Sequence, residues 1–122
     1  MAEHNQTGQE GEQIAKEYLQ KKGYQILDIN WKFRSLEIDI IASDKTDLVI
    51  CEVKTRSGIM VNSPVAAVDK QKQKFLIQAA DAYVRKNNIN LDVRFDIVSI
   101  MQKNNQTQIE HLENAFYPLL RK

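Results

Sequence analysis

The stretch DLVICEVKTR, residues 47–56, constrains the fold more than any other part of the sequence. Residues 48–53 are mostly apolar and β-favouring, which is typical of a buried strand. Glu52 and Lys54 interrupt this apolar character, one residue apart. Because side chains alternate between the two faces of a sheet, both charges are predicted to point the same way. A domain built around this strand must therefore pair or use an acid and a base at the strand end.

Length and composition indicate one cytoplasmic domain. The chain has 122 residues, of which 43% are hydrophobic, enough for a single core. Its net charge of +1 argues neither for nor against a nucleic-acid partner, so any basic surface is local. The single cysteine, Cys51, fits a reducing compartment. The polar N-terminus lacks an apolar signal core, and no apolar run is long enough to cross a membrane, so we expect no membrane association.

Hydrophobic periodicity and turn signals predict the element order α-β-β-β-α-β-β within one domain over residues 1–122. The first helix is predicted from an N-cap at Thr7 to about Lys22, after a loose tail over residues 1–6. The strands are predicted at 24–31, 36–43, 47–54, 93–101 and 109–116. The second helix is predicted from Ser63 and Pro64 to about Lys86, and we leave open a break near Asp69. This order indicates an α/β fold with a central mixed sheet of about five strands and a helix on each side.

The second predicted strand, LEIDIIAS, carries an acid within an apolar run. Regular alternation places Glu37, Asp39 and Ile41 on one face, with Ile38 and Ile40 on the other. The following KTD turn joins this strand to the third as a hairpin. We therefore expect Asp39 to come within metal-bridging distance of Glu52.

A third acid, Glu12, lies at the start of the first helix, on or beside its apolar stripe. Convergent carboxylates are costly to bury unless they are paired or bind a cation. Without Cys or His nearby, such a set favours Mg²⁺ or Mn²⁺ over Zn²⁺. A neighbouring lysine, Lys54, can orient or polarise a water. This chemistry serves phosphodiester hydrolysis.

Asp39 followed by Glu52-Val53-Lys54 resembles the D…(D/E)xK signature of the restriction-endonuclease-like superfamily. A longer similarity runs from about Gly8 to Ile100. It is carried by GQEGEQIAKEYLQKKGYQILDINWKFRSLEIDIIASDKTDLVICEVKTRS, SPVAAVDKQKQKFLIQAADAY and VRFDIVSI. Over these segments the chain resembles the YraN-like family of small bacterial proteins. That family is regarded as endonuclease-like and related in fold to archaeal Holliday-junction resolvases.

The resemblance implies Asp39 and Glu52 as metal ligands, Lys54 as the residue assisting the water, and Glu12 as a further catalytic acid. Glu37 belongs to the family's GEID motif. Leu36 stands where that motif usually has Gly, which raises the question of whether the backbone here adopts the family's conformation.

The charged residues named above, and several further ones, have a structural as well as a functional interpretation. Glu52 and Lys54 could form a solvent-facing pair, and Glu12 could be favoured simply by the helix dipole. The nucleic-acid-binding candidates are Glu37, Arg56, Lys72 and Arg34, the last from the aromatic and basic segment NWKFR. Glu37 could instead be simply solvated, Arg56 could be a surface residue, and Lys72 could cover the core. In NWKFR, Trp31 and Phe33 could equally belong to the core. Arg94 and Asp96 are predicted to form a structural pair, and His111 receives no role.

The sequence thus predicts a Mg²⁺- or Mn²⁺-dependent endonuclease acting on structured or branched DNA. We leave open that it acts as a homodimer. The alternative is a non-catalytic nucleic-acid-binding or assembly module on the same fold. A protein-interaction domain that binds no nucleic acid has no positive support in the sequence.

Overall fold

The structure is a computed structural model that describes residues 2–57 and 68–116, with side chains described for residues 9–56 and 68–116. The elements are α1 (Ala2–Lys21), β1 (Gln25–Phe33), β2 (Leu36–Ser43), β3 (Asp47–Ser57), α2 (Lys70–Asn87), β4 (Asp92–Lys103) and β5 (Gln106–Phe116). The order matches the predicted order. Neither of the two helices in the described part of the chain has the length and apolar character needed to cross a membrane.

Helix ends follow local sequence signals, except at the N-terminus. The first helix begins at Ala2 and not at Thr7, so the predicted tail and N-cap are wrong. This segment is mostly polar, but it includes one Ala, one Glu and one Gln, which are good helix formers, so polarity alone did not exclude a helix. Gly23, at φ 98°, ends α1 as predicted. The described helix α2 is capped by Asp69, the position of the suggested break, whereas Ser63 and Pro64 lie outside the described residues.

Five strands form one mixed sheet in the order β1-β2-β3-β4-β5. Only the β3–β4 pair of this sheet is parallel, and α2 lies in the crossover connection between these strands. The sheet has a buried cluster on each face. One cluster packs Ile50 with Leu76 of α2, and the other packs Cys51 with Leu19 of α1. The predicted α/β, restriction-endonuclease-like class, with a helix on each side of a mixed sheet, is therefore confirmed.

Regular alternation fails in β2 at Asp39. Ile38 belongs to the cluster under α2, and Ile40 to the cluster under α1. The prediction that these two side chains share a face is therefore wrong. Across the sheet, Asn30 of β1 has a left-handed backbone at φ 52°, which distorts the strand opposite this point. Such irregularities re-aim side chains within a sheet.

The strands β2 and β3 separate next to Asp39. Their pairing runs from Ser43–Leu48 to Ile40–Cys51 and ends there. Beyond that point β3 continues along β4, while β2 continues along β1. The sheet therefore has a wedge-shaped opening between two adjacent strands, and the acidic side chains lie around it.

Candidate functional site

The Asp39 carboxylate bonds to the β3 backbone at the point where the hydrogen-bonded pairing of β2 and β3 ends. Continuing the register by one position would place Asp39 opposite Glu52. Instead, the backbone N–H of Val53 donates a hydrogen bond to Asp39 Oδ2 over 2.8 Å. This bond satisfies a β3 backbone donor and fixes the aspartate in the wedge between the strands.

The Glu52 carboxylate is almost fully buried, with a relative exposure of 4%. Its Oε2 lies 3.3 Å from Lys54 Nζ and 3.5 Å from Lys72 Nζ. Its Oε1 is also buried and has no hydrogen-bond partner among the described residues. A buried carboxylate oxygen without a partner is costly, so this atom is available to a ligand as far as the described residues show.

Glu12 approaches from α1 on the side of Glu37. The Asn30 side-chain amide donates to Glu12 Oε1 over 3.1 Å and to Glu37 Oε1 over 3.3 Å. This amide holds two acids together that would otherwise repel each other. Sequence reasoning missed Asn30; the available signal was an Asn inside a strand pattern, since Asn tolerates the left-handed conformation.

Electrostatics show that the acids form one group. Burial raises the pKa of Asp39 to about 7, with the Glu52 carboxylate as the next contribution and Glu12 as a smaller one. Burial also raises the pKa of Glu12, followed by its repulsion from Glu37 and Glu52. Carboxylates that resist ionisation together are a favourable place for a cation.

Gly11 determines how closely α1 approaches β3. A Cβ atom at Gly11 would overlap Thr55 Oγ1 and lie 3.3 Å from Thr55 Cβ. Only glycine permits this approach, because both atoms belong to a β-branched residue whose backbone is fixed in the sheet. The contact therefore holds Glu12, the next residue of α1, beside the wedge.

Gly11→Ala is expected to destabilise the protein by about 1–3 kcal/mol, because the added methyl forces the helix off the strand. This loss would exceed the gain of about 1 kcal/mol that Ala brings to a helix. Urea unfolding of Gly11→Ala, Thr55→Ala and the double variant tests the cause. The double variant should recover most of the Gly11→Ala loss; an unchanged loss would show that the contact with Thr55 is not responsible.

The nucleic-acid-binding candidates predicted from the sequence lie at different positions around this centre. For Lys72, the sequence left open whether the side chain approaches the site or covers the core. In the structure it forms an ion pair with Glu52. Arg34 is exposed in the β1–β2 turn, with its guanidinium 4.9 Å from the centre of the Phe33 ring. Arg56 is half-buried on β3, beyond Lys54. The backbone of Leu36 does not have a positive φ angle, so this position does not require Gly.

A second polar network lies on the α1 face, where Asp96 pairs with Cys51 across the strands. Arg94 donates two hydrogen bonds to Asp96, and His111 Nε2 lies 2.7 Å from Asp96 Oδ2. The backbone N–H of Asn114 also donates to Asp96, next to the register shift between β4 and β5. The structural pair was thus correctly predicted, but the part played by His111 was missed. The network holds an irregular strand pair together.

The described residues contain no group of three or more His, Cys, Asp and Glu side chains arranged to hold a metal. This arrangement does not exclude Mg²⁺, which keeps several waters and commonly uses one or two carboxylates. The donor set here is all oxygen, and one buried carboxylate oxygen lacks a partner. Asp39 and Glu52 therefore fit a hard divalent cation, with Glu12 close enough to interact with both electrostatically.

Known proteins are similar to this chain over nearly its whole length. The model of "Uncharacterised protein family UPF0102" matches residues 11–100. The chain belongs to this family. It is the YraN-like family that the sequence resembles, and the matched range contains all of the acids and lysines described above.

The similar relatives include three UPF0102 proteins. FP2501 of Flavobacterium psychrophilum is 49% identical over 117 residues, covering 96% of this chain and 98% of the relative. The protein of Parabacteroides distasonis is also 49% identical over 117 residues, with 96% and 97% covered. The protein of Bacteroides thetaiotaomicron is 45% identical over 120 residues, with 98% and 99% covered. Their names state the family and no activity.

Proposed function

We propose that this protein is a metal-dependent endonuclease that hydrolyses phosphodiester bonds in structured or branched DNA. The observation that carries the proposal is the buried Glu52 Oε1 beside Asp39, at a wedge in the sheet, for which residues 9–56 and 68–116 provide no hydrogen-bond partner. A protein that used this carboxylate only for stability would be expected to pair both of its oxygens.

Asp39 and Glu52 would hold Mg²⁺ or Mn²⁺ in this proposal. A bound ion of this kind supplies charge neutralisation at the phosphate and a lower pKa for an attacking water. The protein contributes fixed ligands, since Asp39 is oriented by the Val53 N–H and Glu52 by two lysines.

The two lysines have complementary positions. Lys54 extends from the same strand as Glu52, and Lys72 reaches the same carboxylate from α2. Both side chains are about 30% exposed, so each can keep its contact with Glu52 and still reach solvent. We assign Lys54 to orienting the water and Lys72 to attracting the phosphate.

Mn²⁺ titrated into the wild-type protein at low salt should bind, and Asp39→Asn should abolish the heat of binding because a neutral amide is a poor ligand. The apparent affinity should rise between pH 6 and pH 8, because the proton on Asp39, whose pKa is about 7, competes with the ion. Isothermal titration calorimetry at both pH values measures this.

An equal affinity in wild type and Asp39→Asn would contradict the assignment. If neither protein binds, the titration is repeated with a branched DNA present, since a phosphate can complete an open coordination shell. Failure there as well would favour the non-catalytic module.

A further inference from the structure

A groove of about 450 Å³ opens beside the acidic site, between the start of β2 and the first turns of α2. Leu36 forms one wall, and Phe75 and Gln78 of α2 lie on the other side. Lys72 belongs both to the groove and to the acidic site, because it lines the groove and its Nζ lies 3.5 Å from Glu52 Oε2. The groove therefore adjoins the proposed point of cleavage at Lys72.

A row of flat side chains extends from Phe75, which lines this groove. The Phe75 ring is 5.9 Å from the Phe33 ring, and Phe33 is stacked on Trp31 with an interplanar angle of 10°. The Arg34 guanidinium continues the row towards solvent, over the Phe33 ring. Arginine planes and aromatic rings are the surfaces on which unpaired bases stack in nucleic-acid-binding proteins.

The charge and exposure of the groove match a nucleotide. Leu36 is 44% exposed although it lines the groove opposite the half-buried Phe75. Lys72 and Lys74 provide cations along the same wall. The one acid in the lining, Asp69, is engaged in capping α2 through the Lys72 backbone N–H. An apolar floor with a basic rim suits a base lying between phosphates.

We propose that this groove binds an unpaired nucleotide of the substrate strand, next to the phosphodiester held at the acidic site. The proposal rests on the nuclease function proposed above and specifies its substrate class as DNA with a single-stranded segment, such as a flap or a splayed junction. The base would lie between Leu36 and Phe75, with the Arg34 plane beside it. A fully paired duplex keeps its bases stacked internally, so it cannot fill the groove.

Direct binding in EDTA at low salt tests the groove without any metal or cleavage. Fluorescence anisotropy compares a labelled single-stranded oligonucleotide with a blunt duplex of the same sequence. The variants are Arg34→Gln and Leu36→Ser, both at exposed positions. Lys45→Gln, at an exposed position in the turn between β2 and β3, is the control matched to Arg34→Gln for charge loss. Thermal melting verifies that each variant is folded.

The wild type should bind the single strand more tightly than the duplex. Arg34→Gln and Leu36→Ser should each weaken single-strand binding by roughly tenfold, the scale of one lost stacking contact. Neither should change duplex binding by as much, and Lys45→Gln should leave the preference intact.

Equal affinity of the wild type for single strand and duplex would overturn the proposal. So would an absence of oligonucleotide binding, or the same loss of affinity in Lys45→Gln and Arg34→Gln. The nuclease proposal fails differently, through a lack of metal binding and cleavage. A single-strand preference that depends on Arg34 and Leu36 in a protein without cleavage would retain the groove and reject the catalysis.

Discussion

Glu52→Gln is expected to reduce the rate of Mn²⁺-dependent cleavage of a flapped or branched DNA by roughly a thousandfold. The substitution keeps the shape of the side chain but removes the negative charge of the carboxylate, whose buried Oε1 has no partner in the described part of the chain. Electrostatic stabilisation by a bound metal is worth several kcal/mol at the transition state, and about 4 kcal/mol corresponds to a thousandfold in rate. Gel analysis of a labelled substrate at saturating protein measures the single-turnover rate.

The control for this prediction is Glu110→Gln, which removes one negative charge from an exposed position on β5. It should leave the rate within experimental error of the wild type. Cleavage by purified Glu52→Gln at the wild-type rate would reject the catalytic assignment of this residue. Equal losses in both variants would point to overall charge and not to the site.

Asp39→Asn is expected to stabilise the metal-free protein at pH 8. Native Asp39 has its pKa raised by burial and by Glu52 to about 7. The native state therefore holds this proton more tightly than the unfolded state, and wild-type stability falls as the pH rises from about 4 to about 7. Displacement of the pKa from its ordinary value to about 7 corresponds to a free energy on the order of 4 kcal/mol, an upper limit for the gain.

The amide oxygen of Asn can still accept the hydrogen bond from the Val53 N–H. The variant should therefore lose this part of the pH dependence and retain the packing. Urea unfolding in EDTA at pH 5 and pH 8 measures the free energy of unfolding of both proteins. Their difference should favour the variant at both pH values and be clearly larger at pH 8, because at pH 5 only part of the fall in wild-type stability between about pH 4 and about pH 7 has occurred.

Mn²⁺ should reverse the order of stability at pH 8. A ligand that binds only the native state raises its stability by an amount that grows with concentration, and only the wild type should bind the ion. A variant that is less stable than the wild type in EDTA at pH 8 would show that Asp39 is not held at an energetic cost. A more stable variant would therefore indicate an acid retained for function at a cost in stability, and a less stable variant would indicate an acid that stabilises the fold.

The fold was predictable because its signals are local. The strands were predictable from the apolar runs around Ile50 and Ile97. The end of α1 was predictable from the glycine at position 23, a common helix-capping residue. The predicted start of α1 is wrong because polarity by itself indicates a tail only weakly, and residues 2–6 include Ala, Glu and Gln, which favour helices. The alternation in β2 was predicted wrongly because the distortion at Asn30 lies on a neighbouring strand.

Residue types and order along the chain determined by themselves that Asp39, Glu52 and Lys54 would lie on adjacent strands of a mixed sheet. Only the tertiary structure decided that β2 and β3 part at Asp39, that Glu12 joins Glu37 through Asn30, and that Lys72 reaches Glu52 from α2. The physical reason is the range of the interactions. Periodicity and capping act over a few residues, whereas register, distortion and the close approach of Gly11 to Thr55 depend on packing between segments far apart in the chain.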